Sequence, residues 1–351
     1  MWIACQKSQP KKTAIVVMVK NGEDYLPEFL FHHLPLVDDI FLIDHSSKRD
    51  LRGLSLDRVH VFRSNHRAQY QSECTNLVIE HCKIREKFGW LFVLDIDEFL
   101  PFYSRQDINR YLALHSRKKA IRFHWLNGVP FDRNAHSSER GLSNRDEIRF
   151  YDRPSHGYKT FVNIRATRGR FWVPTGAHHV GRRASFLEKL FRSKNHHRNY
   201  KPYVEKSLTL FHILATSKAH FVAKIANYVD QFQYRRHVMG QGGWHVENYD
   251  TNPTDEQFLW YVANFRVSDP NKWFEVTVDD FKRFDVFRNL KAVEIESLRT
   301  KIFSLPAALC DVPPLLEDEY REQKTDDNAI ADNLSWFMVN NDAEIINKKP
   351  K

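Results

Sequence analysis

The stretch Gly89-Trp90-Leu91-Phe92-Val93-Leu94-Asp95-Ile96-Asp97-Glu98-Phe99-Leu100-Pro101 decides the fold. Five consecutive large apolar residues between Gly89 and the acids read as a central strand of a parallel sheet, buried on both faces. Ligands of open α/β sheets sit beyond the carboxyl ends of such strands, and that is where the three acids lie. Alternation along an extended chain puts Asp95 and Asp97 on one side, where two carboxylates can share a divalent cation and leave positions open for phosphate oxygens. Glu98 points elsewhere. The alternative is an acidic strand cap that solvates a turn. Against it, three carboxylates crowded after an apolar strand repel one another unless something positive binds them.

Working outward, Ala14 to Val19 reads as a buried strand, and Glu23 to Leu36 as a helix with Leu26, Phe29, Leu30, His33 and Leu34 on one side. Asp39 to Asp44 and Val59 to Arg63 read as two further strands. Gln69 to Phe88 reads as one long helix with Cys74, Leu77, Val78, Cys82 and Arg85 on its inward stripe, ended by Gly89. This order makes about the first hundred residues a parallel α/β half with nucleotide-binding character. Beyond Pro101 the pattern predicts a helix near Asp107 to His115, a strand at Ala120 to Trp125, and a polar irregular stretch from Asn127 to Ser155 of the kind that covers a site. Strand-like pieces at Thr160 to Arg165 and Leu208 to Leu214 flank a basic segment, Phe191 to Lys201. Ser217 caps a helix carrying Phe221, Ile225, Tyr228, Val229 and Phe232, and Thr254 with Gln257 forms a capping box before Phe258, Leu259, Val262 and Phe265.

A chain of 351 residues can bury a large core, and 42% hydrophobic with 28% charged residues is ordinary for a globular protein. Only 12 glycines are present, with neither a G-x-G-x-x-G nor a Walker-type loop, which argues against a Rossmann dehydrogenase or a P-loop enzyme. The formal charge of +9 implies an anionic partner such as nucleotide phosphates, acidic glycolipid, a membrane surface or nucleic acid. Cys5, Cys74, Cys82 and Cys310 form no C-x-x-C pair, which favours a reducing compartment. The apolar run from Ala14 is stopped by Lys20 and reads as neither a signal peptide nor a membrane span.

Other candidates lie at the ends of strands. Asp44, opening Asp44-His45-Ser46-Ser47, can accept hydrogen bonds from a nucleobase or ribose, or can simply make an Asx turn. Lys20 and Asn21 follow the first strand and can contact a nucleotide, or merely start a helix. Gln71, one turn into the long helix, can face the same crevice. His212, in Leu210-Phe211-His212-Ile213-Leu214, is either a core histidine or a ligand; His178 and His179 read the same way or as plain loop residues.

These pieces, taken in order, resemble a bacterial family 2-like glycosyltransferase of GT-A fold. The resemblance rests on Val19-Lys20-Asn21-Gly22-Glu23-Asp24-Tyr25-Leu26-Pro27-Glu28-Phe29 with His32-His33, on Ile43-Asp44-His45-Ser46-Ser47, on Gln71, and on Trp90 through Asp95-Ile96-Asp97-Glu98-Phe99-Leu100. Looser matches are His156-Gly157-Tyr158-Lys159, Gly176-Ala177-His178-His179, and His212 with Ser217, Phe221 and Lys224. Arg49 stands where the family usually carries an acid, and His45 where asparagine is commoner.

The resemblance implies an α/β protein of GT-A type, a mixed, mostly parallel sheet flanked by helices. The GT-A domain would span 13–232, with a mainly helical C-terminal extension over 233–351. It implies transfer of a sugar from a nucleotide-diphosphate donor to a glycan or glycolipid acceptor, in cell-surface polysaccharide or lipopolysaccharide synthesis, by an inverting mechanism. Mn²⁺ or Mg²⁺ would be held by Asp95, Asp97 and His212, and the donor by Lys20, Asn21, Asp44, Gln71, Asp95 and Lys159. The general base would come from the loop acids Asp132, Glu139 and Asp146. A cytoplasmic protein held peripherally at the inner face of an anionic membrane by the run Arg192 to Lys201 is expected, with no nucleic-acid partner. Two rivals are a sugar-phosphate nucleotidyltransferase, for which Lys20-Asn21-Gly22-Glu23 is a poor phosphate loop, and a basic nucleic-acid-binding protein, against which the acidic strand end counts.

Overall fold

The computed structural model describes residues 12–64, 71–130, 148–155, 157–182, 198–215, 217–233, 254–263, 278–308 and 337–338. The amino-terminal half runs β1 (Thr13–Val19), α1 (Leu26–His33), β2 (Asp39–His45), β3 (Val59–Ser64), α2 (Gln71–His81), α3 (Ile84–Lys87), β4 (Trp90–Asp95) and β5 (Glu98–Phe99). It continues with α4 (Arg105–Leu114), β6 (Ala120–Pro130), β7 (Ile148–Tyr151), β8 (Tyr158–Asn163) and α5 (Ile164–Thr167). The short strands β9 (Phe171–Trp172), β10 (Gly181–Arg182), β11 (Arg198–Asn199) and β12 (Tyr203–Val204) follow, then β13 (Leu210–Ile213) and α6 (Lys218–Gln233). Last come α7 (Asp255–Ala263), β14 (Phe281–Arg283), α8 (Ala292–Phe303) and β15 (Phe337–Met338).

The main sheet has the order β14-β7-β6-β8-β4-β1-β2-β3-β15. Strands β3, β2, β1 and β4 are mutually parallel, so their carboxyl ends line one rim. β8 enters antiparallel between β4 and β6, and β13 pairs parallel with β6 and antiparallel with β5. The result is a mixed α/β sheet flanked by helices, the layout expected for a GT-A-type fold.

Why the strands are apolar throughout follows from the pleat. Ile15, Val17 and Val19 of β1, with Phe92 and Leu94 of β4, pack under Leu26, Phe29 and Leu30 of α1, Ile108 of α4 and Leu298 and Ile302 of α8. The alternate residues Ala14, Val16, Leu91 and Val93 pack on the other face against Cys74, Val78 and Ile79 of α2 and Ile84 of α3.

Several expectations need correction. The predicted helix 69–88 is two helices, because Lys83 adopts a left-handed conformation at φ 53° and breaks the run. The first helix occupies only Leu26–His33. The strand expected at Thr160 to Arg165 ends at Asn163, whose Oδ1 accepts from Ala166 N at 3.1 Å and starts α5. Across the boundary expected at 232, β14 pairs with β7, α8 packs on α1, and Phe258, Val262 and Phe281 share a third core with Val129, Leu214 and Phe221. Arg299 of α8 pairs with wholly buried Glu28 of α1. The Thr254–Gln257 capping box forms in both directions, at 2.7 and 3.1 Å. Among the described residues no helix is long and apolar enough to cross a membrane.

Candidate functional site

At the end of β4 the chain leaves the sheet at Asp95, turns through Ile96 and Asp97, and returns as β5, which pairs with β13 so that Glu98 lies opposite His212. The turn breaks the alternation assumed from sequence, and the two aspartates part company. Asp95 accepts from Gln71 Nε2 at 2.8 Å and from Lys159 Nζ at 2.6 Å, and its side chain is 36% exposed. Asp97 is buried and pairs with Lys224, while His212 Nε2 stands 3.5 Å from its Oδ2. Asp95 and Asp97, expected to share a cation, are each met by a different lysine. Among the described residues no group of three or more histidines, cysteines or acids is placed to hold a metal.

What answers the repulsion among the three acids is a pair of lysines. Lys159, with no exposed surface, reaches Asp95 and, at 3.5 Å, Glu98. Burial works against its charge, but the two carboxylates outweigh it and raise its pKa. Glu98 accepts from the Asp95 amide at 2.8 Å, and its other oxygen is buried without a hydrogen-bond partner. Burial pushes its pKa well above the ordinary carboxylate range, with the Lys159 ammonium opposing. Burial also acts against Asp97, but there the Lys224 ammonium prevails and keeps it ionised.

His212 is oriented by a relay. Asn127 of β6 donates its amide to the Val262 carbonyl at 2.8 Å, which leaves Oδ1 to accept from His212 Nδ1 at 2.9 Å. Burial lowers the His212 pKa, with the neighbouring Asp97 carboxylate opposing. The Trp125 ring covers it, centroids 4.5 Å apart, and Trp125 in turn lies over Gly157, where a Cβ would come within 1.8 Å of the indole. Glycine at 157 is thus what lets the indole approach. His178 is structural: its Nδ1 lies 2.6 Å from the Tyr158 carbonyl and its own carbonyl accepts from Thr160.

The loops after β1 and β2 form the neighbouring rim. Asn21 and Ser46 both have left-handed backbones, φ 52° and 56°, conformations that non-glycine residues adopt where the surroundings impose them. Asn21 cross-links the two loops: its amide donates to Ser47 Oγ at 3.0 Å and its Oδ1 accepts from Lys48 N at 2.9 Å. Lys20 is half-buried beside it. Asp44, expected to accept from a nucleobase or ribose, lies beneath this rim. It has no exposed surface, pairs with buried Arg63 at 2.5 Å and accepts from Ser47 N at 2.9 Å, so it shapes the loop from below. Gln71 bridges Asp95 to the Gly176 amide, which donates to its Oε1 at 2.8 Å.

Asn127, Trp125 and Arg63 had no signal in the sequence, because each acts through a partner distant in the chain. Lys224 had one: it lies seven positions after the cap Ser217, whose Oγ accepts from His220 N at 3.0 Å, and so faces the same side of α6. Asp132, Glu139 and Asp146 lie outside the described residues, as does most of the basic segment, 191–197.

No protein-family model and no curated protein matches the chain. Among solved structures it is similar, at 10% identity and a TM-score of 0.31, to TarS of S. aureus, covering 63% of this chain and 40% of that one. It is similar at 10% identity and a TM-score of 0.30 to the 4-diphosphocytidyl-2C-methyl-D-erythritol synthase of Anaerococcus prevotii, covering 65% of this chain and 97% of that one.

Proposed function

We propose that the chain is a glycosyltransferase that uses a nucleotide-diphospho-sugar donor. The observation that carries this reading is the half-exposed carboxylate of Asp95, fixed by Lys159 and Gln71 at the carboxyl end of β4, beside the Asp97–Lys224 pair and the linked loops after β1 and β2. The crevice outside parallel strand ends is where an α/β sheet takes a nucleotide. Lys20 and Asn21 would border the nucleoside, and the outward oxygen surface of Asp95 would accept from donor hydroxyls.

In the reaction the oxygen of an acceptor hydroxyl forms a bond to the anomeric carbon, the bond from that carbon to the phosphate oxygen breaks, and the nucleoside diphosphate leaves with the electron pair. The hydroxyl proton passes to a general base, for which Asp132, Glu139 and Asp146 remain the candidates. A glycan or glycolipid acceptor suits the formal charge of +9.

A thermal-shift panel of nucleoside diphosphates and nucleotide sugars tests the donor class, since a ligand at 100 times its Kd adds about 2.7 kcal/mol of stability. Stabilisation by a nucleotide sugar, with release of nucleoside diphosphate when acceptor is added, is expected. Release of pyrophosphate from a nucleoside triphosphate and a sugar phosphate would instead establish the nucleotidyltransferase reading, and no shift with any nucleotide would remove both.

A further inference from the structure

The strand order β6-β8-β4-β1-β2 puts β6 on the flank of Asp95 away from the loops after β1 and β2. On that flank Arg122 of β6, half-buried, holds its guanidinium carbon 3.8 Å from the centre of the Tyr158 ring. A cation so close lies over the ring face, and the contact uses none of its five N–H donors. Its Nε is buried without a hydrogen-bond partner, and among the described residues no carboxylate pairs with it. The nearby acids are engaged elsewhere. Glu205 follows Val204, the residue in register with Arg122, and by alternation turns to the opposite face, where it accepts from the Tyr111 and Ser207 hydroxyls, each at 2.6 Å. Asp95 is held by Lys159 and Gln71. We propose that Arg122, stacked on Tyr158 and flanked by His124 and His179, forms a subsite for an oxyanion, a phosphate or carboxylate group carried by the acceptor.

A partly desolvated guanidinium without an anion is costly, and its paired N–H groups match two oxygens of one oxyanion. The neighbours suit such a guest. His124 lies two residues along β6, on the same face by alternation and in register with Tyr158, ring centres 5.9 Å apart. Burial and then the Arg122 charge lower the His179 pKa, which sets that ring within reach of the guanidinium. Beyond it the Tyr200 amide donates to the Val180 carbonyl at 2.9 Å, and Lys119 stands 5.4 Å from the Tyr200 ring centre, so a second cation on an aromatic ring continues the patch. Contacts run without a break from this patch to Asp95. His178 Nδ1 meets the Tyr158 carbonyl, Gly176 donates to Gln71, and Gln71 donates to Asp95. Asp95 thus has the nucleotide-side loops on one flank and an oxyanion receptor on the other, which is what two substrates meeting at a transfer centre require. The assignment to the acceptor rests on the transferase reading; the oxyanion subsite does not.

Phenylglyoxal, which modifies accessible guanidinium groups, is the first probe, read at single arginines of the wild-type protein by peptide mass spectrometry, with exposed Arg117 as internal control. Arg122 is expected to react in the ligand-free protein, and inorganic phosphate at about ten times its Kd should slow that reaction about tenfold while Arg117 is unaffected. An Arg122 that does not react, or that phosphate protects no more than Arg117, would overturn the proposal. Glucuronate and glucose 6-phosphate in the same assay distinguish a carboxylate-bearing from a phosphate-bearing acceptor, and protection by neither would overturn the acceptor assignment. Calorimetry with UDP, GDP, ADP and CDP is the second probe. Arg122→Met should bind the preferred diphosphate as tightly as the wild type; a loss of about tenfold would place Arg122 in the donor site and overturn the acceptor assignment. If the wild type binds none of the diphosphates, the transferase reading fails, while the labelling still decides the oxyanion subsite. Should Arg122→Met not fold, Arg122→Lys must leave diphosphate affinity unchanged in its place, and the labelling needs no variant.

Discussion

Lys159 donates to Asp95 Oδ2 at 2.6 Å from a side chain that has no exposed surface. A buried ammonium is tolerated because two carboxylates meet it, and it is also why Asp95 keeps a fixed direction while remaining half open to solvent. Removing Lys159 leaves Asp95, partly open to solvent, and the buried Glu98 without their shared counter-charge. Lys159→Met should lower stability by about 3–5 kcal/mol in urea denaturation. Glu98→Gln, which removes the partner 3.5 Å from Lys159 but leaves the 2.6 Å pair with Asp95, should cost clearly less than Lys159→Met. Equal losses in the two variants would refute this ranking of the two partners.

Acid sensitivity follows from α1. His32 Nε2 meets the Leu100 carbonyl at 2.9 Å, while His33 Nδ1 donates to the Phe29 carbonyl and its Nε2 accepts from Leu100 N at 3.2 Å, so the pair clamps the backbone just after β5. Burial lowers the His32 pKa from 6.5 to about 4 and that of His33 well below its ordinary value. A depressed folded pKa means that the unfolded chain binds protons which the folded chain does not. The stability is fully present above pH 6.5 and declines as pH falls toward 4. The Tm of wild type should drop across that window, and His32→Gln should show a shallower slope; identical slopes would count against the clamp.

Gly157→Ala is predicted to act at a distance of one ring. The new Cβ would lie 1.8 Å from Trp125 Cε3, so the indole that covers His212 must move. Overpacking of this kind costs about 1–3 kcal/mol. The expected signature is a moderate fall in Tm together with altered tryptophan emission and weakened nucleotide binding; loss of stability with unaltered nucleotide affinity would detach Trp125 from the site.

The far end of the chain should matter to folding. Arg299 and Glu28 form a buried pair between α8 and α1, and Asp50 N donates to the Pro306 carbonyl at 3.0 Å while Ala308 N donates to Lys48 O at 2.8 Å. Arg299→Ala should therefore cost about 3–5 kcal/mol, and pairing Arg299→Met with Glu28→Leu should recover most of it, measured by denaturation midpoints. If Arg299→Ala is neutral, α8 contributes little to the first core.

The apolar runs at Ala14–Val19 and Trp90–Leu94, and the acids that follow the second, were sufficient to place a buried parallel sheet and its ligand rim, because strand burial depends on local pattern. Ser217 and the Thr254–Gln257 box were legible for the same reason: a cap is completed within four residues. Which charges meet was decided only by the tertiary structure. Alternation along one strand predicts Asp95 and Asp97 side by side, but the chain turns at Ile96, and each acid then answers to an element far away in sequence, Lys159 of β8 for the one and Lys224 of α6 for the other. Asp44 was drawn inward by Arg63 of β3, and α8 was drawn onto α1, for the same physical reason. Once water is removed, a buried charge must find its counter-charge wherever the fold delivers one, and no spacing within a single segment records where that will be.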